Sequence, residues 1–403
     1  MVLITLLFRI FAPNYNIIMS AFQRMGKLLR WMLTIAFVCS FASKGWTQKK
    51  GFWKGVVAYL DSSNVKGVDP AYVTQPDKPW AIVLNNNIDK LSLDVSSTLY
   101  MKSVIEEEGM SEMTLHLHIK PPVSTSLGIW AGYRGYGAGY SLSLSGDNGY
   151  SFAMNMVSPS YGINLRINRF SFDKPEAFLS WHTNGAAGSS EDVLDAEYIQ
   201  TVLSSPMKIG TLVLDGYWVF NKKRFSMLAA YDQSTIQLRS AGSLIAGLMY
   251  YYQKLDYDTP KNLYLLQSFT KMGLMKVYQG SIGLGYTYNW VPARGWVVNV
   301  TAMPVLTLLN LVKVSNYQLE FPDNLSDYSG TEWIDALTMK HVSDERLNGG
   351  VRLNLDMRMG VSYIWRNWYV GAVAQGHHFR SNSGDTTLKL TDWTIKTFIG
   401  MRL

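Results

Sequence analysis

Only one cysteine, Cys39, occurs in the 403 residues. It falls inside an N-terminal stretch that reads as a cleaved leader, so the mature chain has no thiol. Disulfides, thiolate catalysis and cysteine-based metal sites are thereby excluded. Charged residues are scarce, at 17%. After residue 50 no apolar run reaches the roughly eighteen residues that a membrane helix requires, so the main body has no transmembrane helix. Excess positive charge is also missing once the leader is set aside. The formal charge is +7, but residues 1–48 hold five of the 37 basic residues (Arg9, Arg24, Lys27, Arg30, Lys44) and no acid. That leaves 32 basic against 30 acidic residues, a balance near +2. Charge gives no reason to expect a nucleic-acid partner.

The leader has its own pattern. "MGKLLRWMLTIAFVCSFASKGWTQ" opens at Met25 with Lys27 and Arg30, runs through an apolar stretch from Trp31 to Phe41, and carries the small residues Ser40, Ala42 and Ser43. This is a secretory signal peptide, assigned to residues 25–47. Residues 1–24 read as an upstream extension or a mis-assigned start. Val38 is too large before Cys39 for a lipoprotein box. Residues 48–79 read as a periplasmic N-terminal segment with room for one short helix.

What is abundant is glycine, 33 residues, and aromatics, 13%. From Trp80 to Leu403 they serve a period-two alternation. Met113, Leu115, Leu117 and Ile119 share one phase, kept by Leu127, Ile129, Ala131 and Tyr133. After Arg134-Gly135 the phase flips to Tyr136, Ala138, Tyr140 and Leu142. "VRLNLDMRMGVSYIWRNWYVG" places Val351, Leu353, Leu355, Met357 and Met359 on one face, with Arg352, Asn354, Asp356 and Arg358 on the other. Strands of soluble sandwiches have about five or six residues. These apolar faces persist for ten to sixteen, whereas a tilted membrane crossing needs about nine to eleven. The expected fold is an all-β, antiparallel, up-and-down transmembrane β-barrel over residues 80–403.

Short links at Arg134-Gly135, Val291 to Gly295 and Arg366-Asn367 are flanked by aromatics. Trp130, Tyr133, Tyr136, Trp290, Trp296, Trp365 and Trp368 are expected to form one interfacial girdle on the periplasmic side. Five strands precede residue 171 and five follow residue 275. "TLVLDGYWVF" and "SLIAGLMYYY" bring the count to twelve, within a range of ten to fourteen because residues 172–208 and 221–240 have room for another hairpin. Lys313 to Asn348 reads as a long outer link. The last strand, Trp393 to Leu403, should pair with the one beginning near Trp80.

Several stretches are similar to one family: "QKKGFWKGVVAYLDSS", "KPPVSTSLGIWAGYRGYGAGYSLSL", "DGYWVFNKKRF", "STIQLRSAGSLIAGLMYY" and "GLGYTYNWVPARG". They resemble the family catalogued as domain of unknown function 4421, a set of predicted outer-membrane β-barrels of Gram-negative bacteria. The resemblance implies a barrel and an outer-membrane address, and no activity. Leu403 stands where a typical barrel ends on an aromatic.

Candidate chemistry is sparse. His116 and His118 share a strand face, but spacing supplies no third metal ligand. His377 and His378 fall on opposite faces near the outer rim. Ser141, Ser143 and Ser281 are possible nucleophiles only if a histidine such as His378 reaches one of them. The glycine runs fit strand alternation and precede no helix, so they are not phosphate loops. "IEEEG" (105–109) with Glu112 reads as a solvated acidic loop. Arg352, Asp356 and Arg358 form a charged line on the inner face, extended by Lys396 and Arg402 on a neighbouring strand. In a narrow barrel these fill the lumen; in a wide one they line an anion-favouring pore. Packing is favoured. The expected role is structural, docking or narrow passage of small solutes. The alternatives are a lipid-modifying outer-membrane hydrolase and a secreted soluble β-sandwich. No cofactor or metal is expected. The expected partners are outer-membrane lipid, lipopolysaccharide and the barrel-assembly machinery.

Overall fold

Alternation of this length produces one sheet that curls until its ends meet. The computed structural model describes residues 66–101, 111–120, 123–144, 149–172, 176–184, 199–202, 206–256, 272–320, 338–383 and 386–403, with isolated positions 55, 58, 61 and 62. The strands are β1 (Val73–Thr74), β2 (Trp80–Met101), β3 (Ser111–Lys120), β4 (Ser124–Tyr133), β5 (Tyr136–Ser143), β6 (Tyr150–Val157), β7 (Tyr161–Phe172), β8 (Glu176–Asn184), β9 (Ile199–Val202) and β10 (Met207–Val219). After the short helix α1 (Met227–Tyr231) come β11 (Ile236–Gln237), β12 (Ala241–Asp256), β13 (Met272–Trp290), β14 (Trp296–Glu320), β15 (Thr338–Asn348), β16 (Arg352–Trp365), β17 (Trp368–Ser383) and β18 (Thr386–Arg402).

Twelve of them close an antiparallel barrel in the order β2-β4-β5-β6-β7-β10-β12-β13-β14-β16-β17-β18. β18 returns to β2, with Arg402 opposite Ala81 and Thr386 opposite Ser97. At the seam the Leu403 N–H donates to the Trp80 carbonyl at 2.9 Å, and the Trp80 N–H to the Leu403 carbonyl at 3.3 Å. A closed single sheet overturns the soluble-sandwich alternative, which needs two facing sheets.

Turn chemistry fixes the two ends. Arg134 and Gly135 link β4 to β5 with φ of 52° and 89°, the two positive angles of a hairpin turn whose twist matches its strands. Gly295 (φ 87°) and Arg366 (φ 53°) serve links at the same end, where Trp80 and Leu403 also lie. At the opposite end the strands run on as a wall beyond the barrel. There β3 pairs with the upper half of β2, β8 and β9 follow, and β15 pairs with the upper half of β14. The stretch 172–208 thus contributes strands to this wall, not a further crossing. Lys313 to Asn348 is strand for much of its length. Side chains divide as the alternation requires: Leu353 is 75% exposed on the outside, while Thr287, Asn299 and Thr307 are fully buried within.

Residues 66–79 lie in the same compact unit as the barrel, which begins at Ser63. Residues 221–240 do not form a spanning hairpin. They leave β10 at the short-turn end and fold as α1 and β11, and β11 pairs with β1.

The division of faces predicts where charge is tolerated. Met359 is outward, 52% exposed and about midway up β16. Met359→Arg should cost about 2–4 kcal/mol, as lipid-facing arginine does near mid-bilayer. The drop is read as a lower denaturant midpoint in liposomes, and an unchanged midpoint would place Met359 off the lipid face. Seam closure is checked in a Cys39→Ser background. Cysteines at Ile82 and Met401 should cross-link, since they are register partners, whereas Ile82 with Ile395 should not.

Candidate functional site: the closed lumen

Eight strands make a barrel that side chains alone can fill, and sixteen or more leave an aqueous channel. Twelve fall between, so the state of the lumen depends on what is placed inside. At the short-turn end the 221–240 loop turns inward. Ser226 caps α1 by accepting from the Ala229 N–H at 3.3 Å, and Met227, Leu228, Ala229 and Ala230 are buried. Phe225 and Met227 pack with Val219, Ile245, Met303 and Val305 of the wall. Several of the loop's polar groups are tied down by hydrogen bonds, although Gln233 Oε1 and Ser234 Oγ are buried without a partner among the described residues. Gln237 donates to the carbonyls of Arg224 (2.6 Å) and Arg239 (2.9 Å), and accepts from the Ser226 N–H (3.0 Å) and from Asn289 Nδ2 (3.1 Å). Tyr231 Oη donates to Asn299 Oδ1 at 2.5 Å, and Arg402 Nη2 donates to the Gln233 carbonyl at 2.8 Å. Residues 66–79 close the other side, with Arg134 Nη1 donating to the Pro76 carbonyl at 2.6 Å. Burial holds the loop carboxyl of Asp232 above the usual carboxylate range, against the opposing pull of Ser234, Lys396 and Arg402.

Above this plug the lumen is bridged by charge. Arg358 on β16 bonds Asp356 Oδ2 at 2.9 Å and reaches Asp215 Oδ2 on β10 at 3.4 Å. In barrel order β12, β13 and β14 separate β10 from β16, so the contact crosses the interior. Asn164 Nδ2 donates to the same Asp215 oxygen at 2.8 Å, and Asn155 Nδ2 donates to Asn164 Oδ1 at 2.8 Å. Two cavities beside this network, one reaching Asp356 and the other Asp215 and Arg358, have room for about one water each.

Among the residues singled out from sequence, Asp356 and Arg358 come together as one network. Arg352 lies higher on β16 and donates to the Gly349 carbonyl at 3.1 Å. Lys396 and Arg402 are not on a neighbouring strand, because β17 lies between β16 and β18. Arg402 is 3% exposed and stacks over the Tyr369 ring at 5.2 Å. Asp215 was overlooked, although it is the one acid within the apolar "TLVLDGYWV" and falls on its inward phase. Asn289 falls on the polar phase of "YQGSIGLGYTYNW", but its bond to the loop has no sequence signal, and Gln237 has none at all.

The girdle needs one correction. Trp290, Trp296, Trp365 and Trp368 are exposed at the short-turn end, and Tyr133 joins them by an edge contact with Trp80 at 5.0 Å. Tyr136 is half-buried. Trp130, however, is 6% exposed and packs inside against Val83, Ile364, Tyr369 and Phe398. Its even number sets it opposite in phase to Ile129 and Ala131. Glycine makes the space: a Cβ at Gly132 would sit 2.1 Å from the Trp130 ring, and one at Gly137 2.2 Å.

His118 Nδ1 contacts Asp94 Oδ1, and among the described residues no three metal-ligating side chains gather. Ser141 Oγ donates to Asn85 Oδ1 at 3.3 Å, and Ser281 shares a hydrogen bond with Thr307 at 2.9 Å. His378 is exposed, its Nδ1 3.0 Å from Thr391 Oγ1. Residues 105–109 lie outside the described residues.

A closed antiparallel barrel of twelve strands, apolar outside and filled within, defines a β-barrel protein of the outer-membrane type. Residues 68–402 match the family described as "Domain of unknown function (DUF4421)", and the chain belongs to that family. A comparison with curated proteins finds no match. Among solved structures it is similar to the outer membrane protease OmpT from Escherichia coli, with 8% identity and a TM-score of 0.39 over 82% of this chain and 98% of that one. It is also similar to the translocator domain of the autotransporter NalP from Neisseria meningitidis, with 9% identity and a TM-score of 0.28 over 92% and 99%. The Pseudomonas putida toluene transporter TodX gives 8% identity and a TM-score of 0.25 over 81% and 91%. These likenesses are too distant to carry function.

The bridge predicts an asymmetry. Arg358→Ala leaves two buried carboxylates without their cation and should cost about 3–5 kcal/mol. Replacing the whole set, Arg358→Met with Asp356→Leu and Asp215→Leu, should recover most of that loss. Both are read as the temperature at which the folded band disappears on a heat-modifiability gel. An Arg358→Ala protein as stable as wild type would show that the bridge does not hold the lumen.

Proposed function

We propose that this chain is an outer-membrane protein whose barrel is sealed at rest, with a structural or docking role at the membrane and no free flow of solutes. One observation carries the reading: the 221–240 loop fills the short-turn end, and Arg358 ties β16 to β10 above it. In this orientation the short turns face the periplasm and the extended wall faces outward, the arrangement usual for such barrels. The chain reaches the membrane after loss of residues 25–47 and is assembled by the barrel-assembly machinery. The same reading makes it a non-enzyme. Ser141 donates its hydroxyl to Asn85, Ser281 shares a hydrogen bond with Thr307, and His378, which lines the same cavity as Ser281, has its Nδ1 bonded to Thr391.

Conductance across a planar lipid bilayer tests the seal. Wild-type protein should give no stepwise current. Replacing residues 222–239 by a two-residue turn, together with Arg358→Ala, should produce steps. A steady open current from wild type would overturn the sealed-barrel reading. Cell fractionation tests the address: recovery as a soluble protein would overturn that.

A further inference from the structure

The outer surface of one wall carries a graded set of rows. In each row, residues on adjacent strands are direct register partners. Leu248, Ile282 and Leu306 make an apolar row, all well exposed. Two residues up, Tyr250 and Leu309 flank Gly280. Two further up stand Tyr252, Tyr278 and Leu311, the two tyrosine rings 5.0 Å apart. The next row is Lys254, Lys276, Lys313 and Arg346, one cation on each of β12, β13, β14 and β15. On the far side of Gly210, Arg169 continues it.

Such a row has a cost. Directly opposed strand partners have Cβ atoms about 5 Å apart, and like charges there are destabilising. Lys313 stands in the field of both Lys276 and Arg346. Nearby acids relieve part of this, Asp344 standing in the field of both Lys313 and Lys276. Asp256 bonds Lys254 at 3.4 Å. Asp344 is occupied by the Ser315 hydroxyl at 2.8 Å and by His341 at 3.0 Å. Among the described residues no carboxylate comes within ion-pair distance of Lys276, Lys313 or Arg346. Lys313 instead rests its ammonium 5.6 Å from the centre of the Tyr278 ring.

We infer that this wall binds lipopolysaccharide of the outer leaflet, its phosphorylated saccharide headgroup on the cationic row and its acyl chains on the leucine and isoleucine rows below. The inference rests on the outer-membrane reading and adds a site to it. The order apolar, aromatic, cationic is that of hydrocarbon, interface and headgroup phosphate. Four cations spaced about 4.8 Å apart span about 14 Å, enough to meet more than one phosphate. Lysine and arginine are the residues that grip phosphate oxygens, arginine in bidentate fashion. Bound phosphate would offset the repulsion within the row.

The test uses the full mature chain in detergent with purified short-saccharide lipopolysaccharide as the probe. Binding is followed by competition with a fluorescent form of the same lipid. Lys276→Gln, Lys313→Gln and Arg346→Gln together should weaken binding about a hundredfold, from the attraction each basic residue contributes near an anionic surface. Lys222→Gln with Lys223→Gln, at the short-turn end, should leave binding unchanged. Phosphatase-treated lipopolysaccharide should bind wild type much more weakly. Wild-type affinity in the triple variant, or equal binding of the dephosphorylated lipid, would overturn the inference. Equal competition by inorganic phosphate or phosphatidylglycerol would also overturn it, since the row would then be a general anion surface. Without lipopolysaccharide, the triple variant should unfold at the same or a higher temperature than wild type. A lower temperature would mean that the cations serve the fold, and would count against a ligand site. Heat-modifiable migration of wild type reports on the barrel itself, so failure of binding and failure of the outer-membrane reading remain distinguishable.

Discussion

Hydrocarbon offers no partner to a backbone N–H or C=O, and the rest of this structure follows from that. Each unpaired group costs several kcal/mol, so a sheet in lipid must meet its own first strand. Here the constraint is met where β18 runs along β2 from Arg402 and Ala81 to Thr386 and Ser97. Antiparallel closure needs an even number of strands, which brings the two ends of the barrel chain, Trp80 and Leu403, to one rim. Once the seam is closed, every outward side chain faces one solvent and every inward side chain faces the others across a lumen.

That lumen presents the opposite problem. A twelve-strand wall is too wide for its own side chains and too narrow to be a roomy pore. The chain fills it by lending a loop from between β10 and β12 and a segment from before β2. Polar side chains make the fit specific. Gln237 ties the loop's carbonyls to one another, and Asn289 ties the loop to β13. The bonds made by Gln237 and Asn289 would be lost in another seating, which favours one arrangement of the plug over alternatives.

Above the short-turn rim the outer surface follows the layers of a membrane. Tryptophans mark the short-turn boundary, and leucines and isoleucines the hydrocarbon, while at the far end of β12 and β13 the half-buried Tyr252 packs against Tyr278, which is itself 6% exposed. The cationic row sits directly beyond those tyrosines. The plug occupies the interior, while the graded rows lie on the outer wall.

Much of this was legible in the residues themselves. Period-two alternation and turn spacing determined the strands, their number and their inward and outward phase, because a lipid face and a lumen face demand opposite chemistry at every second residue. Asp356 and Arg358 could be assigned to the interior on phase alone. Trp130 was misjudged because its nearness to a turn was weighed above its phase. Phase has priority, since glycines at 132 and 137 clear an inner bed for the ring. Three things were decided only in three dimensions: the Arg358–Asp215 bridge, the inward fold of residues 221–240, and the alignment of Lys254, Lys276, Lys313 and Arg346. Each joins residues far apart in the chain whose meeting depends on register and curvature. A sequence states which face a residue takes, but only the closed sheet sets which residue stands opposite.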